Sequence, residues 1–169
     1  MEDNEKKETV YGLMNCMWYA VKKSKDYALT PNDDALSTFF LIKEVALTLD
    51  KKFDEILLKK GANDIGALKQ DYNAYLNEFM PQFEQLERHF SENRWILGDQ
   101  ICLLDFLLTE RFLKIMIFEQ ELFYDVVQSL ANLCSFTNRV LSLEQVELFR
   151  EEADYMDRPF LDPKISRWS

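Results

Sequence analysis

The stretch Trp95-Ile96-Leu97-Gly98-Asp99-Gln100-Ile101-Cys102-Leu103-Leu104-Asp105-Phe106 decides the fold. It reads as a loop handing over to a helix. Gly98-Asp99 makes a turn, and Asp105 stands three residues after Cys102. A carboxylate there accepts the backbone N–H of the capping residue and meets the positive end of the helix dipole. Ile101 before the cap and Phe106 after it are placed to form a hydrophobic staple. Cys102 is the weaker part of the device, because a thiol is a poor acceptor. Losing such a cap costs about 1 kcal/mol.

The helix that begins here covers residues 102–120. Its charged residues, among them Asp105, Glu110, Arg111 and Lys114, are sparse. Most of its circumference must therefore be buried, which makes it the central helix. Upstream, Leu68, Tyr72, Tyr75, Leu76, Phe79, Phe83, Leu86 and Phe90 recur three or four apart and predict a helix over 67–91. Pro81 inside it is expected to kink or split it, since proline removes a backbone donor and crowds the preceding turn.

Before that, Leu36, Phe39, Phe40, Lys43, Ala46, Leu49, Phe53, Ile56 and Leu57 predict a helix over 34–60, closed by Lys59-Lys60-Gly61. Val10, Leu13, Met14, Met17, Trp18 and Val21 predict a first helix over 5–26. Downstream, helices are predicted over 122–141 and 143–156, and Pro159 and Pro163 force an extended tail. There is no repeat, low-complexity tract or strand-like alternation. The expected fold is an all-α bundle of about six helices.

Composition agrees. The chain has 169 residues, 47% of them hydrophobic and 13 of them Phe, so it fits one globular domain with a sizeable core. Four Gly and four Pro are too few for the tight turns of a sandwich or barrel. A net charge of −10 repels phosphate backbones, which makes nucleic acid an unsuitable partner. Cys16, Cys102 and Cys134 are too widely spaced for a disulfide framework or zinc pairs and suit a reducing compartment. The charged start is neither a signal nor a transit peptide, and no apolar window is long enough to span a membrane. The expected location is the cytoplasm.

The capping segment resembles the Gly-Asp-x-Ile-Thr-x-x-Asp-Phe element of glutathione transferase C-terminal domains, which starts their central buried helix. Cys102 departs from the family's Thr or Ser. Tyr75-Leu76 through Trp95-Ile96-Leu97-Gly98 is similar to the mu-class helix and the loop after it. Leu143-Glu144-Gln145-Val146, Arg158-Pro159-Phe160 and a late Trp168 are similar to the mu-class last helix and tail. On this resemblance residues 1–169 form one C-terminal-like domain, family-like over 67–169 and divergent over 1–66. Either helix 5–26 or helix 34–60 is the family's first, and the other is an addition.

In the family, the resemblance implies, the capping segment is a folding element and takes no part in catalysis. The glutathione site and the activating Tyr, Ser or Cys belong to a thioredoxin-like domain that precedes the bundle, and no such pattern stands before the first helix here. Tyr11, Tyr19 and Cys16 lie on a helical pattern without a basic partner. His89, alone of its kind, has no triad, and pairs such as Asp33-Asp34 and Glu151-Glu152 read as solvated helix ends. No catalytic, cofactor or metal residue is assigned. The expected role is a non-catalytic interaction or structural subunit, binding protein partners or its own copies through Tyr11, Met14, Trp18, Phe160 and Trp168. The alternative is a divergent mu-like transferase that uses glutathione with a separate thioredoxin-like domain. A carrier of hydrophobic ligands is a third reading.

Overall fold

A computed structural model describes residues 29–58 and 65–151. They form five α-helices: α1 (Leu36–Leu58), α2 (Ile65–Glu92), α3 (Leu103–Leu122), α4 (Ala131–Leu141) and α5 (Glu144–Glu151). No strand occurs among the described residues, and two isolated bridges pin the loop before α3, Trp95 with Gly98 and Leu97 with Gln100. The fold is all-α. The segment 5–26, with Tyr11, Met14 and Trp18, and the tail with Phe160 and Trp168, lie outside the described residues.

A 3-10 turn, Asp33–Ala35, leads into α1, and the Asn32 side chain accepts the Ala35 N–H at 2.9 Å. Phe39, Ile42, Ala46, Leu49, Phe53, Ile56 and Leu57 then turn one stripe inward. Phe40, placed on that stripe by the sequence reading, is 49% exposed. Position 42 takes its place because 39, 42, 46 and 49 keep the narrower face.

α2 buries the eight residues that its periodicity selects, Leu68 through Phe90. It runs unbroken through Pro81, so of the expected kink or split the split does not occur. Proline removes the bond to the Asn77 carbonyl, but both residues are exposed, so water can take up that acceptor. The tertiary contacts of an amphipathic helix outweigh the loss of one bond.

α3 is buried almost all round, with Leu104, Leu107, Leu108, Phe112, Ile115, Phe118 and Leu122 in the core. α1 packs on both α2 and α3, and α4 packs on the same two helices. Aromatic rings fill the space between them. Phe53 meets Tyr72 and Phe118 edge to face and Tyr75 at a tilt, and Phe83 meets Phe112 at a tilt. At the other end of α2, Phe90 stacks on Phe136 of α4 at 3.9 Å. Each fully buried ring is worth about 1.5–3 kcal/mol.

The predicted helix over 122–141 is corrected. α3 ends at Leu122 with Phe123 in the left-handed region at φ 59°, and α4 starts only at Ala131. The intervening turn is built on the buried Glu119, whose carboxylate accepts the N–H groups of Val127 (3.0 Å) and Gln128 (3.2 Å). A carboxylate that takes up those donors replaces the helical bonds that would have continued α3. The last predicted helix, 143–156, is described as far as Glu151.

Candidate functional site

The start of α3 is tied to the preceding loop by side-chain bonds from two helices. Cys102 is the N-cap, and its N–H donates to Asp105 Oδ2 at 2.7 Å. Asp105 Oδ1 accepts the N–H of Ile96 at 2.8 Å. His89 Nε2, in the last turn of α2, bonds the Ile96 carbonyl at 3.1 Å. Both backbone groups of Ile96 are thus held by side chains of different helices. Trp95 and Gly98 exchange backbone bonds of 2.8 and 3.1 Å, and Gly98 sits at φ +77°, a conformation costly for any residue with a Cβ. The guanidinium groups of Arg94 and Arg139 lie over the Trp95 ring at 5.4 and 5.6 Å.

Asp105 is fully buried. Burial raises its pKa above the usual carboxylate range, while the N–H groups of Ile96 and Cys102 pull it the other way. Burial first, and then the Asp105 charge, push the Cys102 thiol up to about 12. At neutral pH it is a neutral thiol in a closed site, which is the reverse of an activated nucleophile. Ile101 and Phe106, the two ends of the expected staple, are both half-buried against the core. The cap joins Cys102 to Asp105, Ile101 and Phe106 each pack on the core beside it, and what the segment holds is a loop and a helix start.

Several other buried polar groups are committed in the same way. Tyr72 donates to Glu119 at 2.7 Å and Tyr75 to the Leu49 carbonyl at 3.3 Å. Lys114 pairs with Asp50 at 3.4 Å and closely with Asp54, and Arg111 pairs with Asp50 at 3.1 Å. Glu87 accepts from Asn132 and Leu133 at the start of α4. Sequence reading missed Glu87 and Glu119 as organising residues. A signal existed for Glu119, a carboxylate deep in an apolar helix, but its partners lie in a turn that no local pattern announces.

Two clefts open along the α1–α2 seam. One, of about 430 Å3, is lined by Lys52, Glu55 and Ile56 of α1 and by Asp71, Tyr75, Glu78 and Phe79 among the residues of α2. The other, of about 350 Å3, lies nearer the start of α1, between Leu41, Ile42 and Val45 and the α2 residues Leu86, Arg88 and His89. Leu41 is 56% exposed beside it. Among the described residues there is no group of three or more metal-ligating side chains, and no helix is long and apolar enough to cross a membrane.

Residues 50–153 match the family model described as glutathione S-transferase, C-terminal domain. No curated protein matches the chain.

Proposed function

The chain belongs to the glutathione S-transferase C-terminal domain family, and from that premise we propose that it is a non-catalytic helical module serving as a protein-interaction or structural subunit of a larger assembly in the cytoplasm. One observation carries this reading. The side chains best suited to chemistry in the described residues are engaged in building the fold. Cys102 is held neutral, the Tyr72 and Tyr75 hydroxyls are bonded inside the core, and Asp105 and Glu119 are occupied by backbone N–H groups. A nucleophile or base has to be free to move its proton. Exposed apolar side chains on α1, Phe40 and Leu41, supply surface that a partner can cover.

The kinship with mu-class transferases is part of the proposal. It is supported by the stretches from Tyr75 to Gly98 and from Leu143 to Phe160. Light scattering and co-purification from native extract test the assembly. The expected result is a particle larger than one chain. A monodisperse monomer overturns the reading. Heat of glutathione binding together with turnover of an aryl halide by the isolated chain overturns it in favour of a divergent mu-like transferase.

A further inference from the structure

Three sides of α3 are engaged by neighbouring elements. Arg111, Lys114 and Phe118 face α1, where they meet Asp50, Asp54 and Phe53. Phe112 and Glu119 face α2 through Phe83 and Tyr72. α4 and the turn before it lie on a third side, where Gln128 bonds the Met116 carbonyl. Leu103, Phe106, Leu113 and Ile117 follow one another at helical spacing on the remaining side, and each is half-buried, with Glu110 exposed among them. Their Cα positions span about 21 Å of helix. A central helix that keeps such an apolar row offers a seat for one more helix.

We propose that the segment 5–26 of this chain occupies that seat, as a strap antiparallel to α3. The sequence predicts a helix over these residues, which lie outside the described ones, with Val10, Leu13, Met14, Met17, Trp18 and Val21 on one face. A helix of that length measures about 33 Å, against about 30 Å for the 20 residues of α3. The direction follows from the ion pairs. Asp50 pairs with Arg111 and Asp54 with Lys114, so α1 and α3 ascend together. Leu36 stands 14 positions before Asp50 and Leu103 eight before Arg111, so α1 starts about 9 Å beyond the start of α3. Residues 27–32 reach at most about 20 Å, enough to turn the chain back onto the start of α3 and too little to carry it to the far end first.

Val21 then comes level with the turn that carries Phe106, and Leu13 and Met14 come level with Leu113 to Ile117. The short connection holds the strap at an effective concentration of about millimolar, so modest contacts suffice to seat it. The inference goes beyond the assembly reading. It turns Met14 and Trp18 inward, and it leaves a partner the surface that carries Phe40 and Leu41.

Thiol labelling of the full chain is the test. Ile117→Cys is placed in a background of Cys16→Ser and Cys134→Ser, in which Cys102, buried and neutral, stays unreactive. The thiol at position 117 is expected to react with a maleimide about tenfold or more slowly than one introduced by Phe123→Cys, at a position 94% exposed. Met14→Asp or Trp18→Asp, on the apolar stripe, abolishes that protection. Asn15→Asp, on the opposite face of the predicted helix, leaves it in place. The protection is independent of chain concentration, as a contact within one chain requires. Circular dichroism verifies that each variant is folded.

The proposal is overturned if position 117 labels as fast as position 123, if the stripe variants leave it protected, or if Asn15→Asp exposes it as much as they do. Protection that fades on dilution also overturns it and assigns the seat to a second copy of the chain. A chain in a larger assembly whose α3 row labels freely loses only this inference. A monomer whose row is protected by the strap loses only the assembly reading.

Discussion

Glu87 of α2 caps α4 at Asn132, 45 residues further along the chain. Its Oε1 accepts the Asn132 backbone N–H at 3.0 Å and the side-chain Nδ2 at 2.8 Å, and Oε2 accepts the Leu133 N–H at 2.8 Å. The residue at the cap position itself, Leu130, has no side chain to offer. A helix whose own cap is apolar thus takes its cap from a neighbour, and the carboxylate also meets the positive end of the dipole.

Glu87→Ala is therefore expected to cost about 1–2 kcal/mol. Urea denaturation measures this, with the same slope and an earlier midpoint. Glu87→Gln keeps one acceptor oxygen and recovers part of the loss. An unchanged midpoint in Glu87→Ala means that water replaces the carboxylate at no cost.

Asp105→Asn tests the start of α3. Two N–H groups, from Ile96 and Cys102, need two acceptor oxygens, and an amide has one oxygen and one NH2. One buried donor then faces another donor, at a cost of about 1–3 kcal/mol at neutral pH. The pH dependence has a definite sign. Burial holds the folded pKa of Asp105 above its unfolded value. A carboxyl shifted this way favours the native state fully below its unfolded pKa, about 3.9, and that contribution is lost as pH rises through the folded pKa. The stability gap between wild type and Asp105→Asn should widen on acidification from neutral pH. Paired urea titrations over that range measure it, and a gap that narrows means that the two N–H bonds outweigh burial.

Phe123 ends α3 at φ 59° and is 94% exposed. A left-handed conformation costs a residue with a Cβ about 1–2 kcal/mol, and glycine adopts it without that penalty. The extra freedom of glycine in the unfolded chain offsets about 0.4–1 kcal/mol. Phe123→Gly is expected to raise stability by about 0.5–1 kcal/mol, whereas Phe123→Ala, which keeps the strain, stays within about 0.5 kcal/mol of wild type. A thermal melt resolves the two. A glycine variant that melts earlier shows that the ring contributes contacts worth more than the strain.

These residues also show what a sequence can and cannot disclose. The Cys102–Asp105 cap is legible because its partners are three residues apart and the bond is made within one turn. The buried stripe of α2 is legible for the same reason, since the helical period is local. The end of α3 is not. Leu122, Val126, Leu130 and Leu133 continue a helical spacing, and no Gly or Pro interrupts residues 99–158. The break comes from Glu119 bonding Val127 and Gln128 and from a left-handed Phe, neither of which composition reveals. Glu87 is hidden by sequence distance. The clefts on the α1–α2 seam need two helices in register before their linings can be seen as one surface.

Tyr72 and Glu119 join α2 to α3 through a 2.7 Å bond between two fully buried side chains. Burial, followed by the Glu119 charge, pushes the Tyr72 pKa far above its ordinary value, so the hydroxyl remains a donor throughout the usual pH range. A bond to a charged acceptor is worth about 1.5–3 kcal/mol, and Tyr72→Phe should lose about that much while the ring keeps its contacts with Phe53, Phe118 and Tyr124. The carboxylate has a second task, because it also holds the amides of Val127 and Gln128. Glu119→Gln should therefore speed hydrogen exchange at those two amides, with Tyr72→Phe leaving them protected. If Tyr72→Phe exposes them as well, the hydroxyl is what fixes the carboxylate against the turn, and the bend between α3 and α4 depends on a residue of α2.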